Sequence, residues 1–268
     1  MCQLFGISSR LPTNVTFSLS VLGERGGGTG PHGDGWGIAF HEGRDFRLIK
    51  EAAPAFDSAC LKFIETHDFS SEIVISHIRQ ASAPKALSYA NTHPFVRELY
   101  GYAHVFAHNG EIPGLLQDPR FEPSCYFPLG DTDSEKAFCL LMDRLRNELT
   151  RETILDRSRK LPIIQSWAKE VSAFGIFNFL FSDTKFLYAH RSTQLFYVSR
   201  ECFSASECLR SEELTIRLAR SPGETQKLAL IATEPLTSNE EWASLPAGEV
   251  VVFRKGSKKE GKLGGEDD

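Results

Sequence analysis

The chain has 268 residues, enough for one large domain or two small ones with a sizeable core. Hydrophobic residues make up 41% of it and charged residues 24%, as in ordinary soluble globular proteins. The formal net charge of -5 disfavours nucleic acid or an anionic membrane surface as a partner. We therefore expect a small-molecule substrate, no nucleic acid and no membrane.

The cysteines and the first residues indicate a reducing compartment. The 6 cysteines form no C-x-x-C pair and no Cys/His cluster at zinc-finger spacing. The N-terminal segment lacks the basic start and the apolar stretch of a signal peptide. The most apolar run, FGIFNFLF at 174–181, is far shorter than the roughly 20 residues that cross a bilayer. We expect a cytoplasmic protein.

Short runs rich in β-branched and aromatic residues predict strands along the whole chain. In chain order these are CQLFGIS, GWGIAFH, EIVISHIR, HVFAHNG, FGIFNFLF, KFLYAH, KLALIAT and EVVVFRK. Helices are predicted for 55–67, for the segment from Asp133 with its apolar stripe, and for 159–172. Because strands come in neighbouring pairs without regular βαβ alternation, we expect an α+β fold with a largely antiparallel sheet covered by helices.

The domain organisation predicted from the sequence is simple. Neither an internal repeat nor a linker divides residues 1–255, so we expect one folded domain there. The last stretch, GSKKEGKLGGEDD at 256–268, has a single leucine as its apolar residue. Such a composition predicts a disordered polar tail.

Two motifs resemble a nucleotide-binding site and a metal site, but the residues around them do not support either. Residues 28–33 match G-x-G-x-x-G, but Pro31 interrupts the match and a strand follows where a dinucleotide site needs a helix. The glycines indicate either a flexible loop or backbone that approaches a ligand. His104 and His108 are four residues apart, and on a strand that spacing is too long to chelate one ion. We therefore predict no cofactor and no metal.

Three polar segments lie at the end of a predicted strand or the start of a helix: SHIRQAS at 76–82, HNGE at 108–111 and GDTDSE at 130–135. Each has an ordinary structural interpretation, with Arg79 in a surface ion pair, Asn109 and Gly110 in a hairpin turn, and Asp133 as a helix N-cap. Together with Cys2 they also supply a nucleophile, oxyanion donors, a carboxylate receptor and an ammonium receptor. Those are the parts needed to attack an amide whose far end is an amino acid.

The order of these motifs resembles the class II glutamine amidotransferase domains of the N-terminal-nucleophile hydrolase superfamily. Cys2 before a strand, HGDGWG at 32–37, SHIRQAS, NTHPF at 91–95, AHNGE at 107–111 and DTDSE at 131–135 follow the family's order. The chain is most similar to bacterial stand-alone members, which carry no attached synthase. Larger relatives tend to have Gly and Trp where this chain has Ser76 and Gln80.

The resemblance implies a four-layer α/β/β/α sandwich with mostly antiparallel sheets. It also implies that Met1 is removed, so that Cys2 becomes the N-terminus at the start of an inner strand. The reference pKa is about 8.5 for a thiol and about 7.7 to 8.0 for an α-amine, so a substantial minority of amines is free to accept the thiol proton near neutral pH. Cys2 would then be a nucleophile that carries its own base.

The same resemblance implies roles for the other candidates. Asn109 and Gly110 are similar to the family's oxyanion hole, Arg79 to the residue that binds the substrate α-carboxylate, and Asp133 to the one that accepts from the α-ammonium. Weaker candidates for the wall of the substrate pocket are Ser82 and His93, while His77 could equally be an ordinary strand histidine.

The implied activity is cysteine-dependent hydrolysis of the γ-amide of glutamine or a γ-glutamyl compound through a γ-glutamyl thioester, which releases ammonia or an amine. Three alternatives stay open. The ammonia could pass to a separate synthase partner, the substrate could be a γ-glutamyl metabolite other than glutamine, or the chain could be a catalytically retired domain that binds a γ-glutamyl ligand or a partner protein.

Overall fold

A computed structural model describes residues 2–14, 24–28, 30–67, 69–80, 87–202, 217–218 and 225–259. Within these ranges two antiparallel sheets pack face to face, and helices cover both outer faces. The predicted α+β fold and its four-layer α/β/β/α arrangement are confirmed.

The strands of the described residues include all of those predicted from the sequence. In chain order they are β1 (Gln3–Asn14), β2 (Trp36–Glu42), β3 (Asp45–Glu51), β4 (Ser70–Ile78), β5 (Phe95–Leu99), β6 (Tyr102–Asn109), β7 (Asn178–Ser182), β8 (Leu187–His190), β9 (Phe196–Cys202), β10 (Arg217–Leu218), β11 (Gln226–Ala232), β12 (Ala243–Ser244), β13 (Val250–Arg254) and β14 (Ser257–Lys259). The first sheet has the order β12-β9-β11-β1-β4-β2-β3, with β10 beside β1, and the second has the order β14-β13-β8-β7-β6-β5.

Four α-helices are described: α1 (Ala59–Thr66), α2 (Gly114–Gln117), α3 (Asp133–Glu148) and α4 (Arg157–Val171). The first residues of α1, α3 and α4 follow from side chains that accept the free N–H groups of the first turn. Ser58 accepts from Leu61 at the start of α1, so this helix begins later than the predicted 55–67. Asp156 caps α4, which begins two residues before the predicted 159–172.

Three apolar layers hold the sandwich together. Phe138 and Trp167, on α3 and α4, pack against the outer face of the second sheet. Leu61 and Ile64 of α1 pack against the outer face of the first. Between the sheets lie small and branched residues from both, among them Leu4, Ile75, Ala107, Leu180 and Ile231. Because β1 and β4 are central strands buried on both faces, they give the ends of these strands fixed positions.

The C-terminal prediction needs one correction. Residues from Gly256 onward were expected to be a disordered tail, but Ser257–Lys259 form β14 and pair with β13. Lysines are common on such edge strands, so their charge does not prevent pairing. Residues 260–268 lie outside the described residues, and one domain over 1–255 stays a prediction. No helix in the described ranges is long and apolar enough to cross a membrane.

Candidate active site

Cys2 lies directly before β1 and next to the chain that leaves β4. The register of these strands places Gln3 opposite Ile78, which brings the residues just outside the pair together. Cys2 Sγ is 3.3 Å from the backbone nitrogen of Gln80 and 3.3 Å from its backbone oxygen. Burial raises the pKa of the Cys2 thiol, while the backbone hydrogen bond from Gln80 and the charge of Arg79 oppose that shift. Because the pKa is raised overall, this thiol needs a base to become a nucleophile.

Arg79 immediately follows β4 and is only 6% exposed. The glycine-rich loop holds its backbone, since Arg79 N–H donates to the Gly35 carbonyl over 2.8 Å and the Arg79 carbonyl accepts from Asp34 N–H over 3.2 Å. Its guanidinium Nη1 is buried and makes no hydrogen bond to any described residue. The burial excludes a surface ion pair. A buried cation with an unused donor is a suitable receptor for a carboxylate.

Asn109 and Gly110 lie where β6 ends. Asn109 is 1% exposed, its Nδ2 is 3.3 Å from Thr233 Oγ1, and its Oδ1 has no partner among the described residues. Gly110 has a φ of 147°, and a Cβ there would lie 1.9 Å from the carbonyl oxygen of Ile176. The chain runs on into α2, so these residues are not the tight hairpin turn that the sequence left open. Close backbone approach explains why position 110 is glycine.

Asp133 is the first residue of α3, but it is not the N-cap. The cap is Thr132, whose hydroxyl accepts from Glu135 N–H. Asp133 Oδ2 instead accepts from Ile112 N–H over 2.8 Å, and its Oδ1 accepts from Ser134 N–H over 2.8 Å. A carboxylate has about four acceptor positions, so this half-buried group retains capacity for a ligand's ammonium.

Each candidate site residue is linked to the next by a contact or by chain neighbourhood, at one end of the sheets. Arg79 adjoins Gln80, which contacts Cys2. Asn109 contacts Thr233, which bonds to Leu4 near the start of β1. Asp133 binds the backbone just beyond Gly110.

His77 and His93 form a buried pair beside this site. Their ring centroids are 4.3 Å apart, and the ring of Phe95 lies 4.4 Å from that of His93. Burial lowers the pKa of His77 to about 3 and holds the pKa of His93 well below its usual value, so both rings are neutral. A role for His93 in the pocket wall stays a prediction. Ser82, the other predicted wall residue, lies outside the described residues.

Gly37, near the start of β2, lies against the backbone of His93. A Cβ on Gly37 would lie 2.2 Å from the His93 carbonyl oxygen. At this position the missing side chain therefore makes room for the protein's own backbone. This contact does not decide between the two interpretations of the glycines at 28–33, which stay predictions.

His104, on β6 with His108 as predicted, gives a testable effect on stability. Burial lowers the pKa of His104 to about 3, whereas an unfolded histidine titrates near 6.5. Below pH 6.5 the unfolded state therefore binds more protons, and stability is lost as the pH falls. When the pH is lowered from about 6.5 to 5, the free energy of unfolding of the unmodified protein should fall by roughly 1.5 to 2 kcal/mol more than that of His104→Gln. Chemical denaturation at both pH values measures this, and the exposed His67→Gln serves as the control. If the free energy of unfolding of His104→Gln falls with pH as much as that of the unmodified protein, the lowered pKa of His104 is contradicted.

Sequence analysis missed two contacts of the site. Thr233, directly after β11, carried no signal beyond its place at the end of the predicted strand KLALIAT. Gln80 was noted only as a departure from larger relatives, but its backbone makes the contacts with Cys2. Backbone contacts of this kind depend on strand register, which the sequence pattern alone does not determine. Within the described residues, no three His, Cys, Asp or Glu side chains are grouped as metal ligands.

Comparison with known proteins shows the family of this chain. The sequence profile of "Glutamine amidotransferases class-II" matches residues 1–263. The chain belongs to the class II glutamine amidotransferase family. The match continues past residue 255, which agrees with the pairing of β14.

Two relatives cover nearly the whole chain of this class II amidotransferase. "Putative glutamine amidotransferase YafJ" of Escherichia coli (strain K12) is 38% identical over 258 residues, which are 96% of this chain and 99% of that protein. The crystal structure of a predicted glutamine amidotransferase from Pseudomonas aeruginosa PA01 is 36% identical, with a TM-score of 0.68, and the match covers 96% of this chain and 99% of that one.

A more distant structure shares the fold. Glutamine phosphoribosylpyrophosphate amidotransferase from B. subtilis is 16% identical with a TM-score of 0.57, and the match covers 96% of this chain but 48% of that one. The amidotransferase fold of this chain therefore corresponds to about half of that larger protein.

Proposed function

We propose that the chain hydrolyses the γ-amide of glutamine or of a γ-glutamyl compound, with Cys2 as the nucleophile. One observation carries the proposal. The Cys2 thiol contacts the backbone of Gln80, and the neighbouring Arg79 has a buried guanidinium with an unused donor. A nucleophile and a free carboxylate receptor are thus on adjacent chain segments, as hydrolysis of an amino-acid side-chain amide requires.

The first chemical step forms a carbon–sulfur bond. The thiol proton moves to the free α-amine of Cys2, which exists once Met1 has been removed, and sulfur attacks the γ-carbonyl carbon. Negative charge develops on the carbonyl oxygen, where an Asn109 side-chain N–H and the Gly110 backbone N–H are the proposed donors. The raised thiol pKa supports a role for such a base, because little thiolate forms without one.

The second half of the reaction breaks two bonds. The protonated α-amine gives its proton to the leaving nitrogen, the carbon–nitrogen bond breaks, and a γ-glutamyl thioester remains on Cys2. Water, deprotonated by the same amine, then attacks the thioester carbon. The carbon–sulfur bond breaks to release the γ-carboxylate, and the amine returns its proton to the departing sulfur, which restores the thiol and the free amine. The net reaction consumes one water and yields glutamate and ammonia or an amine.

Recognition of the amino-acid end follows from the two charged groups. Arg79 binds the α-carboxylate and Asp133 accepts from the α-ammonium, so a substrate lacking either charge leaves a buried partner unpaired. N-acetylated or α-esterified glutamine should therefore be poor substrates.

Substitution of Arg79 separates this role from a structural one. We expect Arg79→Gln to raise KM for glutamine more than tenfold, in line with about 2 to 5 kcal/mol for one lost partner of a buried charge contact. The melting temperature should not fall, because Nη1 makes no hydrogen bond that the substitution would remove.

The matched control is Arg200→Gln. Arg200 is another largely buried arginine, but its Nε and Nη2 donate to the Glu240 carboxylate. That variant should lower the melting temperature and leave KM unchanged. If Arg79→Gln behaves like Arg200→Gln instead, Arg79 is structural.

The nature of the leaving group is open to direct measurement. Purified protein is incubated with glutamine and with a panel of γ-glutamyl amides that share the glutamyl end, and glutamate release is followed. Highest kcat/KM for glutamine would indicate a glutaminase whose ammonia can pass to a separate synthase partner. Highest kcat/KM for a larger amide would indicate a γ-glutamyl hydrolase. No release from any of them would refute the proposal and favour a retired binding domain.

A further inference from the structure

Thr233 is a buried residue, 3% exposed, that bonds to both sheets at the candidate site. Its N–H donates to the Leu4 carbonyl over 3.1 Å, and its Oγ1 accepts from Leu4 N–H over 2.9 Å. The same Oγ1 lies 3.3 Å from Asn109 Nδ2, at the end of β6 in the other sheet. One hydroxyl therefore contacts the strand that begins after Cys2 and the residue proposed as an oxyanion donor.

The Thr233 hydroxyl can form two hydrogen bonds with either orientation of the Asn109 carboxamide, but the groups left unpaired differ. With Nδ2 toward Thr233, Oγ1 receives two N–H groups, and Asn109 Oδ1 is buried without a partner in the described residues. With the carboxamide turned by 180°, the hydroxyl donates to Oδ1 and still accepts from Leu4 N–H. This second arrangement pairs both the hydroxyl hydrogen and the buried oxygen, and the groups that it leaves unpaired are the two N–H donors of the carboxamide.

The turned carboxamide also changes what Asn109 offers to a ligand. Its NH2 group then occupies the buried position that has no partner among the described residues, and both of its N–H donors are available to a ligand. An oxyanion needs donors, and an oxygen in that position would repel it. The orientation that pairs Asn109 Oδ1 with the Thr233 hydroxyl is thus the one that presents donors to an oxyanion.

We propose that Thr233 is a positioning residue that orients the Asn109 carboxamide, so that its NH2 group faces the developing oxyanion. This inference rests on the proposed function, in which Asn109 stabilises the transition state. Because Thr233 also bonds to Leu4, it fixes the donor relative to the strand that carries the nucleophile. Thr233 acts through Asn109 and has no contact with the reacting atoms in the mechanism.

Kinetics of Thr233 variants test the role. Thr233→Val removes the hydroxyl but keeps the branched shape, and we expect kcat to fall at least tenfold with KM nearly unchanged, since the oxyanion bond strengthens only as charge develops. Thr233→Ser restores a hydroxyl and should recover most of kcat. The control is Thr13→Val, because Thr13 is equally buried on β1 and its hydroxyl donates to Leu11 and accepts from Gln226. That control should lose stability but not kcat.

A double variant shows whether Thr233 acts through Asn109. If it does, adding Thr233→Val to Asn109→Ala should lower kcat less than twofold further. The proposal would be overturned if the double variant lost kcat by the product of the two single-variant factors. It would also be overturned if Thr233→Val lost stability but not kcat.

A neutron structure of the unmodified protein separates this inference from the proposed function. Deuterons are visible there, and the hydroxyl deuteron of Thr233 should point to Asn109 Oδ1. An Asn109 Nδ2 deuteron directed at Thr233 Oγ1 would refute the orientation, even in a fully active protein. If the predicted orientation is found in a protein that hydrolyses no γ-glutamyl amide, the proposed function fails while the orientation of Asn109 stands.

Discussion

Replacing Cys2 by alanine is expected to reduce hydrolysis of γ-glutamyl amides by roughly 10⁴- to 10⁶-fold, the scale seen when a covalent nucleophile is removed. The fold should persist, because Cys2 is only half-buried and its Sγ contacts are with the backbone of Gln80. Steady-state glutamate release and the melting temperature measure the two effects. Cys60→Ala, at another half-buried cysteine, is the matched control and should keep full activity.

Two further variants test the α-amine as base. Cys2→Ser keeps the amine but has a poorer nucleophile, so its activity should be nearly abolished with the fold intact. A chain with one lysine inserted between Met1 and Cys2 keeps the thiol but has no free α-amine on Cys2. We expect the insertion to be as damaging as Cys2→Ala. Normal turnover by a protein that carries residues before Cys2 would rule out the amine as base.

Asn109→Ala should lower kcat by roughly 10²- to 10³-fold, as expected when one of two oxyanion donors is lost. KM should change much less, because the interaction matures only as charge develops on the substrate oxygen. Stability should change less, since the Asn109 side chain has one hydrogen-bond partner among the described residues, the Thr233 hydroxyl. Steady-state kinetics with glutamine, at substrate concentrations well above and below KM, separate the two parameters.

The neighbouring strand provides a contrast for Asn109. Asn178 Oδ1 accepts from the backbone N–H groups of Ser192, Thr193 and Gln194, so Asn178→Ala should clearly lower the melting temperature. If Asn109→Ala instead lowers the melting temperature and leaves kcat unchanged, Asn109 is a structural residue at the end of β6.

Apolar runs predicted the centre of each sheet but not its edges. The runs that became β1, β4, β6 and β11 are buried, and their hydrophobic pattern is strong. The strands at the sheet edges were not predicted, as DFRLIKE of β3 and FVREL of β5 show. Edge strands carry charged side chains because one side faces solvent, and this weakens the apolar pattern.

The first residue of a helix depends on which side chain caps it, and the sequence pattern does not show which of two neighbouring capping residues does so. Asp133 and Thr132 are both good capping residues, and only the structure shows that Thr132 accepts from Glu135 while Asp133 bonds to Ile112. The predicted run FGIFNFLF becomes a strand only from Asn178, because Ser172–Phe174 form a 3₁₀ turn after α4.

For the site, the motifs identified residues with reactive side chains but not those that act through position. Cys2, Arg79 and Asn109 stand in recognisable segments of sequence. Thr233 is distant in sequence, at a separation of 124 residues from Asn109, and reaches it only because the two sheets face each other. Such a contact follows from tertiary packing and leaves no local pattern.

Mass spectrometry of the intact protein after rapid mixing with glutamine and acid quenching tests the thioester most directly. We predict a mature chain without Met1 and a transient γ-glutamyl adduct that maps to the Cys2 peptide. The adduct should be absent from Cys2→Ala and should disappear as substrate is exhausted. Turnover of glutamine by a chain that retains Met1, or an adduct on any other residue, would contradict the proposed mechanism.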